Sequence, residues 1–172
     1  MQLYLGIGTN LGNKEENLKK AVNLIGKRIG KVIALSSFYA TEPWGFESDN
    51  MFMNAAVEVR TRLLPMEALY LTRSIEYWMG RKDHSPNGAY RDRIIDIDLL
   101  LYGHWVVDLP QLKLPHPLMH ERLFVLQPMA EIAPDLEHPI LKKTMRELMQ
   151  GLLNKENPQP VVSTGGGNAI GG

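Results

Sequence analysis

Cysteine is absent from all 172 residues, which excludes disulfides, thiolate nucleophiles and cysteine-held metals. Net charge is absent too. Nineteen basic residues balance nineteen acidic ones, so no net field draws the chain to nucleic acid or an anionic membrane. No apolar run approaches the roughly 18 residues of a membrane span, and no charged-then-apolar signal segment opens the chain. No internal repeat is visible. A hydrophobic content of 44% with 22% charged residues is ordinary for a globular domain of this length, and the cytoplasm is the expected compartment.

Against that background one stretch is unusual, Tyr90-Arg91-Asp92-Arg93-Ile94-Ile95-Asp96-Ile97-Asp98-Leu99-Leu100-Leu101-Tyr102-Gly103. Its β-branched and leucine content predicts a buried strand, yet two aspartates sit inside it. Side chains two apart on a strand share a face and lie roughly 6.6 Å apart. Asp96 and Asp98 therefore share one face, and Ile95, Ile97, Leu99 and Leu101 the other. Carboxylates so spaced suit a divalent metal, whose charge offsets their repulsion. Arg93 adds a cation suited to phosphate oxygens. A solvated acidic edge strand would carry the same residues, so this stretch alone leaves the choice open.

Taken in order, the chain predicts a strand over residues 2–8 and a helix capped by Asn13, with Glu16 placed for a capping box and Gly26 as its end. A second strand follows over 31–39, then a loop from Thr41 to Asn50. A third strand over 52–61 has Met53, Ala55, Val57 and Val59 on one face and Asn54 on the other. Pro65 opens the next helix and Gly80 ends it. After the Asp strand, Gly103-His104 reads as a hairpin turn into Trp105-Val106-Val107. A helical stretch over 119–132 and a helix opened by the capping box Thr144-Met145-Arg146-Glu147, ending near Gly151, complete the pattern.

The order strand, helix, strand, strand, helix, strand predicts an α+β fold with a ferredoxin-like βαββαβ core. Extra C-terminal strand and helix elements make it a three-layer α/β/α arrangement. If each strand's apolar set faces the helices, Asn54, Asp96 and Asp98 point together to the opposite face. Residues 1–154 are expected to form the domain, and 155–172, which lose apolar periodicity and end in glycines, a flexible tail. Trp78 and Trp105 read as packing residues.

Five segments carry a resemblance. They are Gly8-Thr9-Asn10-Leu11, Ser36-Ser37-Phe38-Tyr39 leading to Thr41, Asn54-Ala55-Ala56-Val57, Arg93-Ile94-Ile95-Asp96-Ile97-Asp98-Leu99-Leu100 and Pro115-His116. Their order and spacing resemble the 6-hydroxymethyl-7,8-dihydropterin pyrophosphokinases of folate biosynthesis over about residues 2–151. The resemblance implies transfer of the β,γ-diphosphate of ATP to the pterin hydroxymethyl group, leaving AMP. It implies two Mg²⁺ ions on Asp96 and Asp98, with Arg81 and Arg93 also in the catalytic set. It implies a pterin pocket of Thr41, Glu42, Pro43, Trp44, Asn54 and Phe124. The ATP site would draw on Glu76, Arg81, Tyr90, Arg93, His116 and Arg122.

Two departures stand out. Tyr90-Arg91-Asp92-Arg93 replaces the Trp-Gly-Pro-Arg of many members, and Pro117 stands where a tyrosine often follows the histidine. A monomer is expected. A metal-dependent phosphodiesterase or nuclease could use the same aspartates, though the neutral charge disfavours nucleic acid. A non-catalytic ferredoxin-like binding module is the other alternative.

Overall fold

The computed structural model describes residues 1–41, 51–80 and 94–156. Strand β1 (Gln2–Thr9) leads to helix α1 (Lys14–Arg28), and strands β2 (Lys31–Leu35), β3 (Tyr39–Thr41) and β4 (Phe52–Arg60) follow. Next come α2 (Pro65–Met79), β5 (Asp96–Tyr102), β6 (Val107–Asp108) and β7 (Lys113–Leu114). A 3₁₀ turn (Met119–Glu121), α3 (Leu123–Ile132) and α4 (Met145–Glu156) close the described chain.

The main sheet is antiparallel in the order β2-β4-β1-β5, with β3 also paired to β4. That order is compatible with the expected βαββαβ core. One sheet face presents Leu3, Leu5, Ile7, Ala55, Val57, Val59, Ile97 and Leu99 to Leu18, Ala21 and Ile25 of α1 and to Ala68 and Ile75 of α2. The other presents Tyr4, Ala56, Leu100 and Leu101 to Leu126 and Met129 of α3 and Met145 of α4. The result is helices, sheet, helices in three layers, each face sealed by burial of aliphatic surface. Beneath α3 and α4, Tyr4 donates to the buried carboxylate of Glu58 opposite it, and burial with that charge pushes the phenol up to about 12.

Several sequence expectations need correction. Gly26 does not end α1; the helix continues to Arg28, because Ile25 and Ile29, one turn apart, are both buried in the core. Gly151 likewise lies inside α4, which continues to Glu156 as Leu152 packs on the second core cluster. The strand expected over 31–39 is two strands along one edge of β4. Between them the Ser36 N–H still donates to the Ala56 carbonyl at 2.9 Å, but the Ala56 N–H returns to the Ser36 hydroxyl at 2.8 Å, so a side chain takes one of the two ladder bonds there.

In β5 a register shift against Tyr4 and Leu5 inserts one residue, so Leu101 joins the α3/α4 side and Tyr102 the α1/α2 side. The turn at Gly103-His104 forms, with the Trp105 N–H on the Tyr102 carbonyl at 3.0 Å, but the segment after it adds no strand to β5; β6 pairs with β7 in a sheet of its own. The helical stretch over 119–132 is broken into a 3₁₀ turn and α3 at Arg122. Trp78 and Trp105 are about half exposed. Trp105 packs edge-on against Tyr102, and Lys20 and Arg28 lie over Trp78.

Other expectations hold. Asn13 Oδ1 accepts from the Glu16 N–H at 3.1 Å, Pro65 opens α2 and Gly80 caps it. Thr144 and Glu147 exchange the two bonds of a capping box.

Candidate active site

The register across three strands builds the site. Gly8 of β1 stands opposite Asn54 of β4 on one side and Asp96 of β5 on the other. Two residues back along β1, Gly6 stands between Ala56 and Asp98. Directly opposed residues share a face, so Asn54, Asp96 and Asp98 lie together on the side away from α1 and α2, as the strand parity predicts. The two glycines between them carry no side chain, and the room this leaves is taken by Leu100 over Gly6 and by Asn54 over Gly8. At Gly8 this is required, since an added Cβ would sit 2.5 Å from Asn54 Oδ1. The alternate glycines of Leu5-Gly6-Ile7-Gly8 were a signal for this floor that the sequence reading missed.

Asn54 is buried, and its Nδ2 donates to Thr41 Oγ1 at 3.2 Å. The amide is thereby oriented, with its oxygen toward Gly8. Thr41 reaches it because β3 pairs with β4 from Tyr39–Asn54 to Thr41–Phe52.

At the other side of the floor, β5 is an edge strand whose outer rim is occupied. The Ile97 N–H donates to the Glu76 carboxylate, and the His116 N–H donates to the Leu100 carbonyl at 2.9 Å. These two bonds set Glu76 from α2 and His116 from the segment after β7 beside the aspartates. Burial, reinforced by repulsion from Asp96 and then Asp98, pushes the Glu76 carboxyl up to about 7; Arg73 and the Ile97 N–H act against the rise. His116 Nδ1 accepts from the Leu118 N–H at 3.2 Å, leaving Nε2 to carry the proton of the neutral ring. Burial lowers its pKa, with Asp98 opposing and Arg122 assisting. An open cavity of about 290 Å³ lies here, lined among others by Arg73, Glu76, Asp96, Asp98, Lys113 and His116. Arg73 and Lys113 were not singled out from the sequence, because only tertiary packing brings α2 and β7 to this rim.

Arg122 stands at the N-terminal cap of α3 with its guanidinium 5.6 Å from the Phe124 ring centre. Thus Thr41, Asn54, Glu76, Asp96, Asp98 and His116 gather about one end of the sheet; α3, which carries Phe124, packs on β3 and β4, and Arg122 at its cap acts on His116. Glu42, Pro43, Trp44, Arg81, Tyr90 and Arg93 lie outside the described residues.

Among the described residues no three His, Asp or Glu side chains form a complete metal-binding cluster. The donor set is the Asp96–Asp98 pair, in a field negative enough to raise Glu76. Two hard oxygen donors fit Mg²⁺, which keeps several waters and takes its other ligands from substrate phosphates. They do not fit a closed protein cage for zinc.

Residues 4–134 match the family described as 7,8-dihydro-6-hydroxymethylpterin-pyrophosphokinase (HPPK). The chain is 46% identical over 138 residues to the 2-amino-4-hydroxy-6-hydroxymethyldihydropteridine pyrophosphokinase of Porphyromonas gingivalis, covering 80% of this chain and 93% of that protein. It is 36% identical over 145 residues to the protein of the same name from Aquifex aeolicus, covering 84% and 88%. A crystal structure of Plasmodium falciparum HPPK-DHPS with SDX-DHP superposes with a TM-score of 0.75 at 19% identity, a likeness of fold. That match covers 92% of this chain but only 44% of the other. With most of this chain, residues 4–134, matched to the family, and relatives of that name matched nearly end to end, this chain belongs to the 7,8-dihydro-6-hydroxymethylpterin-pyrophosphokinases, enzymes of folate biosynthesis that use ATP.

Proposed function

We propose that this chain binds 6-hydroxymethyl-7,8-dihydropterin on the Asn54 side of the glycine floor and the ATP phosphates on the aspartate side. Diphosphate then passes between them. The observation that carries this reading is the row Asn54–Gly8–Asp96, which sets an oriented amide and a carboxylate on one face across three neighbouring strands. In the reaction the pterin hydroxymethyl oxygen bonds to the β-phosphorus of ATP. The bond from that phosphorus to the α,β-bridging oxygen breaks, the hydroxyl proton is released, and AMP leaves.

Asp96 and Asp98 would hold two Mg²⁺ ions; such ions supply charge neutralisation at the attacking and leaving oxygens. Asn54 presents a donor and an acceptor to the pterin edge, and Thr41 fixes which is which. Phe124 offers a stacking surface, worth about 0.5–1.5 kcal/mol beyond area burial. His116 donates from Nε2 to a phosphate oxygen. Arg122 adds positive potential on the nucleotide side, and Glu76 bounds that pocket. Arg81, Tyr90 and Arg93 belong to the nucleotide side by resemblance, as Glu42, Pro43 and Trp44 belong to the pterin pocket.

We assign the activity to residues 1–154, acting as a monomer. The cytoplasm, where ATP is supplied, is the proposed compartment. Light scattering of the purified protein checks the first, and fractionation of the source cells the second.

The test is product analysis. Wild type should release AMP only when the hydroxymethylpterin is present. Asp96→Ala and Asp98→Ala should retain the fold by circular dichroism while losing roughly 10²–10³ in turnover. Near-wild-type rates for both variants at limiting Mg²⁺ would refute the metal assignment.

A further inference from the structure

Glu131, in the last turn of α3, holds a segment that contains no residue of the proposed site except at its far end. Its Oε1 accepts from Ser37 Oγ at 2.7 Å and from the Tyr39 hydroxyl at 3.2 Å, and its Oε2 accepts from the Ser37 N–H. The side chain is exposed, so ordinary solvation would satisfy it; instead all three donors come from the Ser37–Tyr39 segment. Although partial burial acts the other way, these bonds hold its pKa below the usual carboxylate range.

What they hold is β3, a strand of three residues whose strand pairing, among the described residues, is with β4 alone. So short a strand makes too few ladder bonds to fix its own position. Yet Tyr39 pairs with Asn54 across it, and Thr41 at its end receives the Asn54 amide.

The helix that supplies Glu131 also carries Phe124. Seven residues separate the two, nearly two full turns, so they share one face of α3 roughly 10 Å apart. Leu126 and Met129 point from a different face into the core and fix the helix.

We propose that Glu131 is a positioning residue for the pterin: it ties β3 to α3, so that Thr41 keeps the Asn54 amide oriented at a fixed offset from the Phe124 ring. The proposal rests on the pterin lying at Asn54, and the experiment separates the two.

Pterin is titrated calorimetrically into protein saturated with Mg²⁺ and a non-hydrolysable ATP analogue, and the analogue is titrated separately. Glu131→Ala should weaken pterin binding about ten-fold and leave the nucleotide analogue within about two-fold. Glu131→Gln, which keeps an oxygen for the Ser37 N–H, should recover most of the loss. Should Glu131→Ala fail to fold, Glu131→Gln and Ser37→Ala carry the comparison, each with a smaller pterin-selective loss. Combined with Asn54→Ala, Glu131→Ala should add nothing, because the two act through one contact.

Equal weakening of both ligands, no weakening of either, or strict additivity with Asn54→Ala overturns the role for Glu131. If Asn54→Ala itself leaves pterin affinity intact, the pterin placement fails and this inference with it. Loss in Asn54→Ala without loss in Glu131→Ala removes the inference alone.

Discussion

A methyl group added to Gly8 would meet Asn54 Oδ1 at 2.5 Å, and the amide cannot yield without leaving Thr41. Gly8→Ala is therefore expected to lose at least about ten-fold in pterin affinity, a larger effect than its change in strand propensity of under about 1 kcal/mol. Calorimetry on the Gly8→Ala protein, with the nucleotide analogue as control, measures it. Unchanged pterin binding would mean that the amide is free to turn. Glu76 makes the complementary point about charge. Nothing in its sequence neighbourhood distinguishes it from any helix carboxylate. Its pKa near 7 arises from burial and from Asp96 and Asp98, which reach it only through the contact of α2 with β5.

Elements ended where packing, rather than propensity, decided. Gly26 is exposed within α1, and a Cβ there would meet Val32 Cγ2 at an ordinary 3.7 Å; at Gly151 in α4 nothing lies within 4 Å. Neither glycine lies at positive φ. Both helices therefore carry the entropic cost of glycine with no steric use for it. Gly26→Ala and Gly151→Ala should each raise the unfolding free energy by roughly 0.5–1 kcal/mol. Urea denaturation followed by circular dichroism decides it, and a loss of stability in either variant would show that the glycine is needed. The edge of β5 belongs to the same scale. Its outer backbone groups go to Glu76 and His116 instead of a sixth strand, so the pairing that would have extended the sheet is spent on placing two side chains.

At the scale of the whole molecule, stability should depend on pH through His138. This ring is buried, and its Nδ1 accepts from the Ile140 and Leu141 N–H groups at 3.2 and 3.1 Å, shaping the turn that leads to the α4 cap. Burial, then the nearby His120 whose ring lies 6.4 Å away with Glu121 beside it, holds His138 below the usual pKa. A depressed folded pKa means that the unfolded chain takes the proton first. The contribution is complete above the unfolded value of about 6.5 and is lost as pH falls through the folded one. Asn places Oδ1 where the histidine has Nδ1 and does not titrate. The His138→Asn protein should thus show a flatter fall in melting temperature between about pH 7 and pH 5 than wild type. Parallel curves would remove His138 from the acid response. Residues 157–172 lack apolar periodicity, and their removal should change neither melting temperature nor turnover. A fall of several degrees would show that they pack on the domain.

The sequence by itself determined the elements and the chemistry. Strand parity put Asn54, Asp96 and Asp98 on one side because side-chain alternation is local, and Asn13, Pro65 and Thr144 announced helix starts because capping is satisfied within four residues. The dispersed segments that resemble the pterin pyrophosphokinases were legible for the same reason, being short and self-contained. Tertiary structure alone decided what depends on distant partners. The bulge that turns Leu101 away, the break of one strand at Ser36, and the continuation of α1 and α4 through glycine all follow from packing between separated segments. So do the meeting of Glu76 with the aspartates and of Glu131 with Ser37 and Tyr39. These contacts join residues far apart in the chain, and no spacing within one element encodes them; they exist only once apolar burial has fixed three layers in register.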